Sequence, residues 1–130
     1  MHSIRITADQ REQMVEITSE VEAFVDGSGH KEGVCILFVQ HTTCGLTVSE
    51  NADPDVKSDT ISFLHKSVPQ FGQNFKHFEP NSDAHIKSVL VGQSVVVPFS
   101  DGELLLGRWQ GVFLCEFDGP RERTILMHIA

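Results

Sequence analysis

No stretch of the 130 residues stays apolar for the roughly 20 positions that a membrane-spanning helix needs, so the chain reads as soluble, with no membrane partner. Cysteine is scarce: Cys35, Cys44 and Cys115 make an odd set without a CxxC pair, which argues against a disulfide framework and a zinc ribbon. Positive charge is short as well, with 10 Lys and Arg against 18 Asp and Glu, a formal charge of −8 and no dense basic run. An acidic surface repels phosphate backbones, so no nucleic-acid partner is expected. A small anionic substrate then needs a metal ion or a few converging cations. Internal repeats, low-complexity tracts and Pro/Gly/Ser-rich linkers are absent too, which leaves one domain over residues 1–130. Met1 to Gln10 carry charge and alternation in place of an apolar run closing on small residues; no secretory signal is read there, and a cytoplasmic location is expected.

What the chain does contain is periodicity that switches between strand and helix. Ile4 and Ile6, then Met14, Val15 and Ile17, fit two short strands joined near Ala8–Gln10 as an opening hairpin. Ser19 with Glu22 matches a capping box, and Val21, Phe24 and Val25 keep helical spacing until Gly27. The run Val34–Val39 is apolar without alternation, as in a strand covered on both faces, and it delivers Gln40 and His41. Leu46 and Val48 suggest a return strand. Asp53–Pro54 marks a helix start, because Asp accepts orphan N–H bonds at the cap and Pro has no N–H to leave unpaired. That helix is predicted to reach Val68, burying Ile61, Leu64 and Val68, and to stop at Pro69. Residues 69–80 read as a loop, and Asn81 or Ser82 caps a short helix closed by Gly92. Val95–Phe99 and Glu103–Leu106 flank an Asp101–Gly102 hairpin turn, while Val112–Phe117 and Thr124–Ile129 flank a hairpin turn at Gly119–Pro120. The fold class predicted is α+β, a single-domain mixed or antiparallel β-sandwich with two main helices.

Three segments are more polar and glycine-rich than folding alone requires: HTTCGLTVSENADPD at 41–55, NSDAHIKS at 81–88 and GRWQGVFLCEFDGPR at 107–121. Their residue types and order resemble the YjbQ-like family, whose members show a histidine-threonine start, an Asn-x-Asp-Pro helix entry, an xHIK segment and a GxWQG…E signature. The resemblance spans nearly the whole chain. It implies a mixed α+β sandwich, assembly as a homotrimer with sites near subunit boundaries, and a secondary thiamine-phosphate synthase activity. Two positions depart from common family versions. Cys44 stands where a small residue or serine is frequent, and Asp83 where another histidine or a small residue can occur; if Asp83 replaces a ligating histidine, an oxygen ligand shifts metal preference toward harder ions.

Read from the residues, His41, His77 and His85 each lie in a polar segment beside an element end, where neutral imidazoles can converge as ligands for a divalent ion, Zn or Mg. The resemblance matches the same three positions, although a histidine in a polar segment is often a solvated one. Glu116 shares a face with apolar Val112 and Leu114, which points to a general base or a supporting carboxylate against the alternative of an outward strand residue. Arg121, after Gly119–Pro120, offers the fork of donors that phosphate oxygens take, or is a solvated turn arginine. Trp109 and Gln110 could hold a pyrimidine ring by stacking and an amide bond, and Asn51 could bind substrate, while Asp53 has a sufficient job as helix cap. Cys44, in a polar stretch, leaves a reactive thiol open, whereas Cys35 and Cys115 sit in apolar runs as small hydrophobes.

The expected function is condensation of hydroxymethylpyrimidine diphosphate with thiazole phosphate, releasing diphosphate that Arg121 and a divalent ion stabilise. The alternatives are a metal-dependent hydrolase of a small phosphate ester or amide, with Glu116 as base, and a non-catalytic trimeric binding protein.

Overall fold

The structure, a computed structural model, describes residues 1–130. In chain order its elements are β1 (His2–Ala8), β2 (Gln13–Glu16), α1 (Thr18–Gly27), β3 (Glu32–Val39), β4 (Cys44–Glu50), α2 (Pro54–Ser67), α3 (Ser82–Val91), β5 (Ser94–Ser100), β6 (Glu103–Leu104), β7 (Gln110–Glu116) and β8 (Arg121–Ile129). Strands β1-β8-β3-β5-β6 form a five-stranded sheet and β2-β7-β4 a three-stranded one, every pairing antiparallel. The α+β sandwich expected from the sequence is therefore present, with three α-helices. No helix is long and apolar enough to cross a membrane.

The two sheets face each other over a core that includes Leu37 and Cys35 from β3, Leu46 from β4, Val112 and Leu114 from β7, and Ile125 and Met127 from β8. Val21 and Val25 of α1 plug one end of it. The other face of the small sheet presents Met14, Phe113, Cys115 and Phe117 to Ala84 of α3 and to Ile61 and Leu64 of α2. Strand β7 is thus buried on both faces, which accounts for its unbroken apolar run. Strand β3 is not: its core face is buried, but Phe38 on the other face is 45% exposed.

Several local expectations hold. Asp53 caps α2, its Oδ1 accepting the Asp55 N–H at 2.9 Å with Pro54 in the first turn, and Val68 ends the helix. Asp101 and Gly102 take φ values of 54° and 76° in the β5–β6 turn, a left-handed pair suited to the twist of a hairpin. Others fail for a shared reason. β1 pairs with β8 while β2 pairs with β7, so Asp9–Glu12 carries the chain between sheets and is no hairpin. Likewise β7 and β8 lie in different sheets, and the cis Gly119–Pro120 bond sits in a crossover. Gly119 is required there, since a Cβ would lie 2.2 Å from the Gln10 carbonyl oxygen. The capping box is also absent: α1 begins at Thr18, and Ser19 bonds Glu20 inside the helix.

Candidate functional site

Both crossovers pass the same end of the sandwich, where β7 stops at Glu116 and β8 starts at Arg121. Glu116 lies on the core face of β7 and Arg123 on the core face of β8, and neither side chain meets solvent (0% and 2% exposed). Arg123 Nε donates to Glu116 Oε1 at 2.7 Å and Nη2 to Oε2, a bidentate pair. Nη2 also donates to the Thr43 carbonyl at 3.1 Å and hydroxyl at 2.8 Å. Glu116 Oε2 further accepts the backbone N–H groups of Phe117 and Asp118 at 3.1 and 2.9 Å. Burial works to discharge the guanidinium, but its bond to Glu116 overrides this and holds the Arg123 pKa above the ordinary arginine value.

Glu116 is therefore not placed as a general base. Both oxygens are engaged and no solvent reaches it, so its work is to fix Arg123. The sequence reading missed Arg123, although one signal was present: it shares its strand face with Ile125, Met127 and Ile129, as Glu116 does with Val112 and Leu114. Two opposite charges, each alone on an apolar face of facing sheets, must pair to be buried.

His41, between β3 and β4, lies against this pair. Its Nε2 accepts the Thr124 backbone N–H at 3.1 Å, and its Nδ1 lies 3.4 Å from Arg123 Nη1. Burial, then the positive charge of Arg123, lowers its pKa, so the ring is neutral at physiological pH. Arg121, half exposed, is held by the Asp118 carbonyl (Nε, 2.9 Å) and carboxylate (Nη2, 3.3 Å), and its charge also reaches His41. His41 and His85 line one groove of about 490 Å³ between the end of β3 and α3, with Phe38, Thr42 and Val89.

The three histidines do not meet as a ligand set. His77 touches His85 edge-to-face, ring centroids 5.6 Å apart, while both nitrogens of His41 face N–H donors of Thr124 and Arg123. No three His, Cys, Asp or Glu side chains gather closely enough to hold a metal ion. The Zn or Mg expectation therefore does not fit the donors of this chain. Asp83 is no ligand either: fully buried, it accepts Arg11 at 3.0 Å and Lys87 at 2.7 Å, fastening α3 to the β1–β2 crossover. Burial pushes the Cys44 thiol up to about 11, an unreactive value, so that cysteine behaves as core.

Asn51, Trp109 and Gln110 stand elsewhere. They lie at the opposite end of β7 from Glu116, roughly 20 Å away at the rise of an extended strand. Each has a local partner there. Asn51 Nδ2 donates to Glu16 at 2.9 Å, Gln110 Oε1 accepts the Gly107 N–H at 2.8 Å, and Trp109, 53% exposed, lies under the Arg108 guanidinium at 4.7 Å. One chain cannot bring Trp109 or Gln110 to Arg121.

Comparison with known proteins agrees with this architecture. A family profile described as UPF0047 protein YjbQ-like matches residues 2–130. A UPF0047 protein of Methanocaldococcus jannaschii is 48% identical over 96% of this chain and 90% of its own length, and the UPF0047 protein YugU of Bacillus subtilis 44% identical over 95% and 94%. Among crystal structures, a YjbQ/UPF0047 protein from Clostridium acetobutylicum superposes with a TM-score of 0.96 at 42% identity, and a conserved hypothetical protein from Thermus thermophilus with 0.93 at 44%, each covering 100% of both chains. Sequence over the full length and fold together place the chain in one group: it belongs to the YjbQ-like UPF0047 family.

Proposed function

We infer that the chain binds a small phosphorylated substrate at the His41–Arg123 end of the sandwich and acts there as a thiamine-phosphate synthase, joining hydroxymethylpyrimidine diphosphate to thiazole phosphate. The observation that carries this reading is the gathering of two guanidinium groups, Arg121 and Arg123, with His41 beside an open groove in a chain of formal charge −8. In the reaction the bond from the methylene carbon to the diphosphate oxygen breaks, its electron pair leaving with diphosphate, while the thiazole nitrogen forms the new bond to that carbon. Negative charge grows on the leaving group, and cations already fixed in place stabilise it without reorganising. Arg121 is the accessible one. Arg123 is the buried one, held charged by Glu116.

The same reading includes a homotrimer. The outer face of the large sheet carries Phe38, 45% exposed, and Val96, 59% exposed, beside Ile36 and Leu126, and no helix of the chain covers it. A second copy would bury it. Trp109 and Gln110, remote from Arg121 in their own chain, then act only in a neighbour's groove. Growth without thiamine tests the function: in a host lacking its principal thiamine-phosphate synthase, the overproduced chain restores growth and Arg121→Ala abolishes the rescue. Undiminished rescue by Arg121→Ala removes that residue from the mechanism.

A further inference from the structure

Gln93 follows the Gly92 cap of α3 and lines the groove between that helix and the end of β3. Its backbone carbonyl accepts the Val39 N–H at 3.0 Å, which ties the two walls together. The orientation of its side-chain amide is fixed. The buried Ser88 hydroxyl spends its hydrogen on the Cys44 carbonyl at 2.6 Å, so Ser88 Oγ and the Ser88 carbonyl can only accept from Gln93. They take Nε2, at 2.8 and 3.2 Å. Oε1, on the other branch of the amide, is left with no donor in the chain. Nor is it sealed away: the side-chain polar atom that is both buried and unpaired is Asn81 Oδ1, so Gln93 Oε1 opens to solvent. Around it the groove is walled by Phe38 and Val89, 45% and 76% exposed, and by the His85 imidazole. A cleft with apolar walls and one oriented acceptor suits a flat ligand that brings one donor.

We propose that this groove is a subsite for a heteroaromatic ring bearing an exocyclic amino group, whose N–H donates to Gln93 Oε1. Phe38 and Val89 supply the apolar surface on which the ring rests. A ring with a carbonyl in place of the amine would meet Oε1 oxygen to oxygen and be rejected. The inference rests on reading the groove as the place of the pyrimidine diphosphate, and it adds the atoms that hold the ring. That pyrimidine carries one amino group, on the ring carbon next to the one bearing the reacting methylene, so holding the amine also places the carbon that forms the new bond. Phe38 also borders the sheet face assigned to the trimer contact, which sets the subsite beside a subunit boundary.

The probe is free hydroxymethylpyrimidine, which carries no phosphate, set against its analogue with oxygen in place of the amino group, so the outcome does not depend on turnover. By NMR titration the amino compound should bind roughly tenfold tighter or more, the scale of one hydrogen bond exchanged for two opposed acceptors. It should also shift the Gln93 side-chain amide signal, identified by its loss in Gln93→Met. Gln93→Met should weaken the amino compound by about the same factor and leave the analogue bound no more weakly, which abolishes the preference. Val89→Trp, at an exposed position where folding tolerates change, should fill the groove and weaken both compounds. Equal affinity for the two compounds in wild type, a preference that survives in a folded Gln93→Met, or binding that Val89→Trp leaves unchanged overturns the proposal. If thiamine phosphate still forms in those cases, the synthase reading stands and only the ring subsite is wrong. Binding of neither compound at millimolar concentration overturns the subsite as well, and absent turnover alongside it removes the synthase reading.

Discussion

Glu116 and Arg123 face each other across the gap between the two sheets, Arg123 Nε lying 2.7 Å from Glu116 Oε1, with both side chains shut off from water. The arrangement joins sheet to sheet by charge at the end where apolar packing stops. Breaking a buried pair leaves an uncompensated charge, so Glu116→Gln should cost about 3–5 kcal/mol. Glu116→Leu with Arg123→Met together should cost less than either single change. Urea unfolding measures this, and additive losses would show that the two residues are not coupled.

Asp83 predicts a pH dependence. Burial acts to raise its pKa, but the bonds from Arg11 and Lys87 win and hold it below the ordinary 3.8. A carboxylate depressed in the folded state contributes stability above its unfolded pKa and loses it as pH falls through the folded value. Asp83→Asn should therefore cost about 3–5 kcal/mol at pH 7, where Lys87 keeps only Glu12 as a carboxylate partner, and progressively less as the pH falls through the folded value. Thermal unfolding across pH 2–7 is the check; a penalty that persists undiminished at the acid end would remove the carboxylate's charge as the cause.

Light scattering should give a mass three times the 14.5 kDa of one chain. Val96→Lys, which sets a charge on the bare sheet face, should release folded monomers. A wild-type monomer at micromolar concentration contradicts the assembly.

If Trp109 serves a neighbouring groove, Trp109→Ala and Arg121→Ala should each be inactive alone and active when mixed. Randomly assembled trimers regain about one site in four, because half the grooves and half the donated edges are intact. Failure to recover, with mixed trimers confirmed by mass spectrometry, would leave Trp109 a structural residue.

How much of this was legible in the sequence depended on how local the physics was. Asp53–Pro54 and Asp101–Gly102 act on the backbone next to them, and both expectations hold. Strand partners were not legible. Ala8–Gln10 and Gly119–Pro120 look like hairpin turns from their neighbours, and only the long-range pairing of β1 with β8 and β2 with β7 makes them crossovers. The site followed the same rule. Glu116 stood out as a charge on an apolar face, but its role required Arg123 on the other sheet. Trp109 and Arg121 share one polar segment in sequence, yet β7 runs between them and holds them at opposite ends.

The proposed synthase reaction requires that both phosphorylated substrates be consumed together. Purified protein should be incubated with hydroxymethylpyrimidine diphosphate and thiazole phosphate, together and singly, and the products followed by mass spectrometry. Thiamine phosphate and diphosphate should form in equal amounts only when both substrates are present, with the rate at least a hundredfold lower in Arg121→Ala, on the order of removing one preorganised charge contact. Loss of the pyrimidine diphosphate on its own, or no product from the pair despite bound diphosphate, would contradict it.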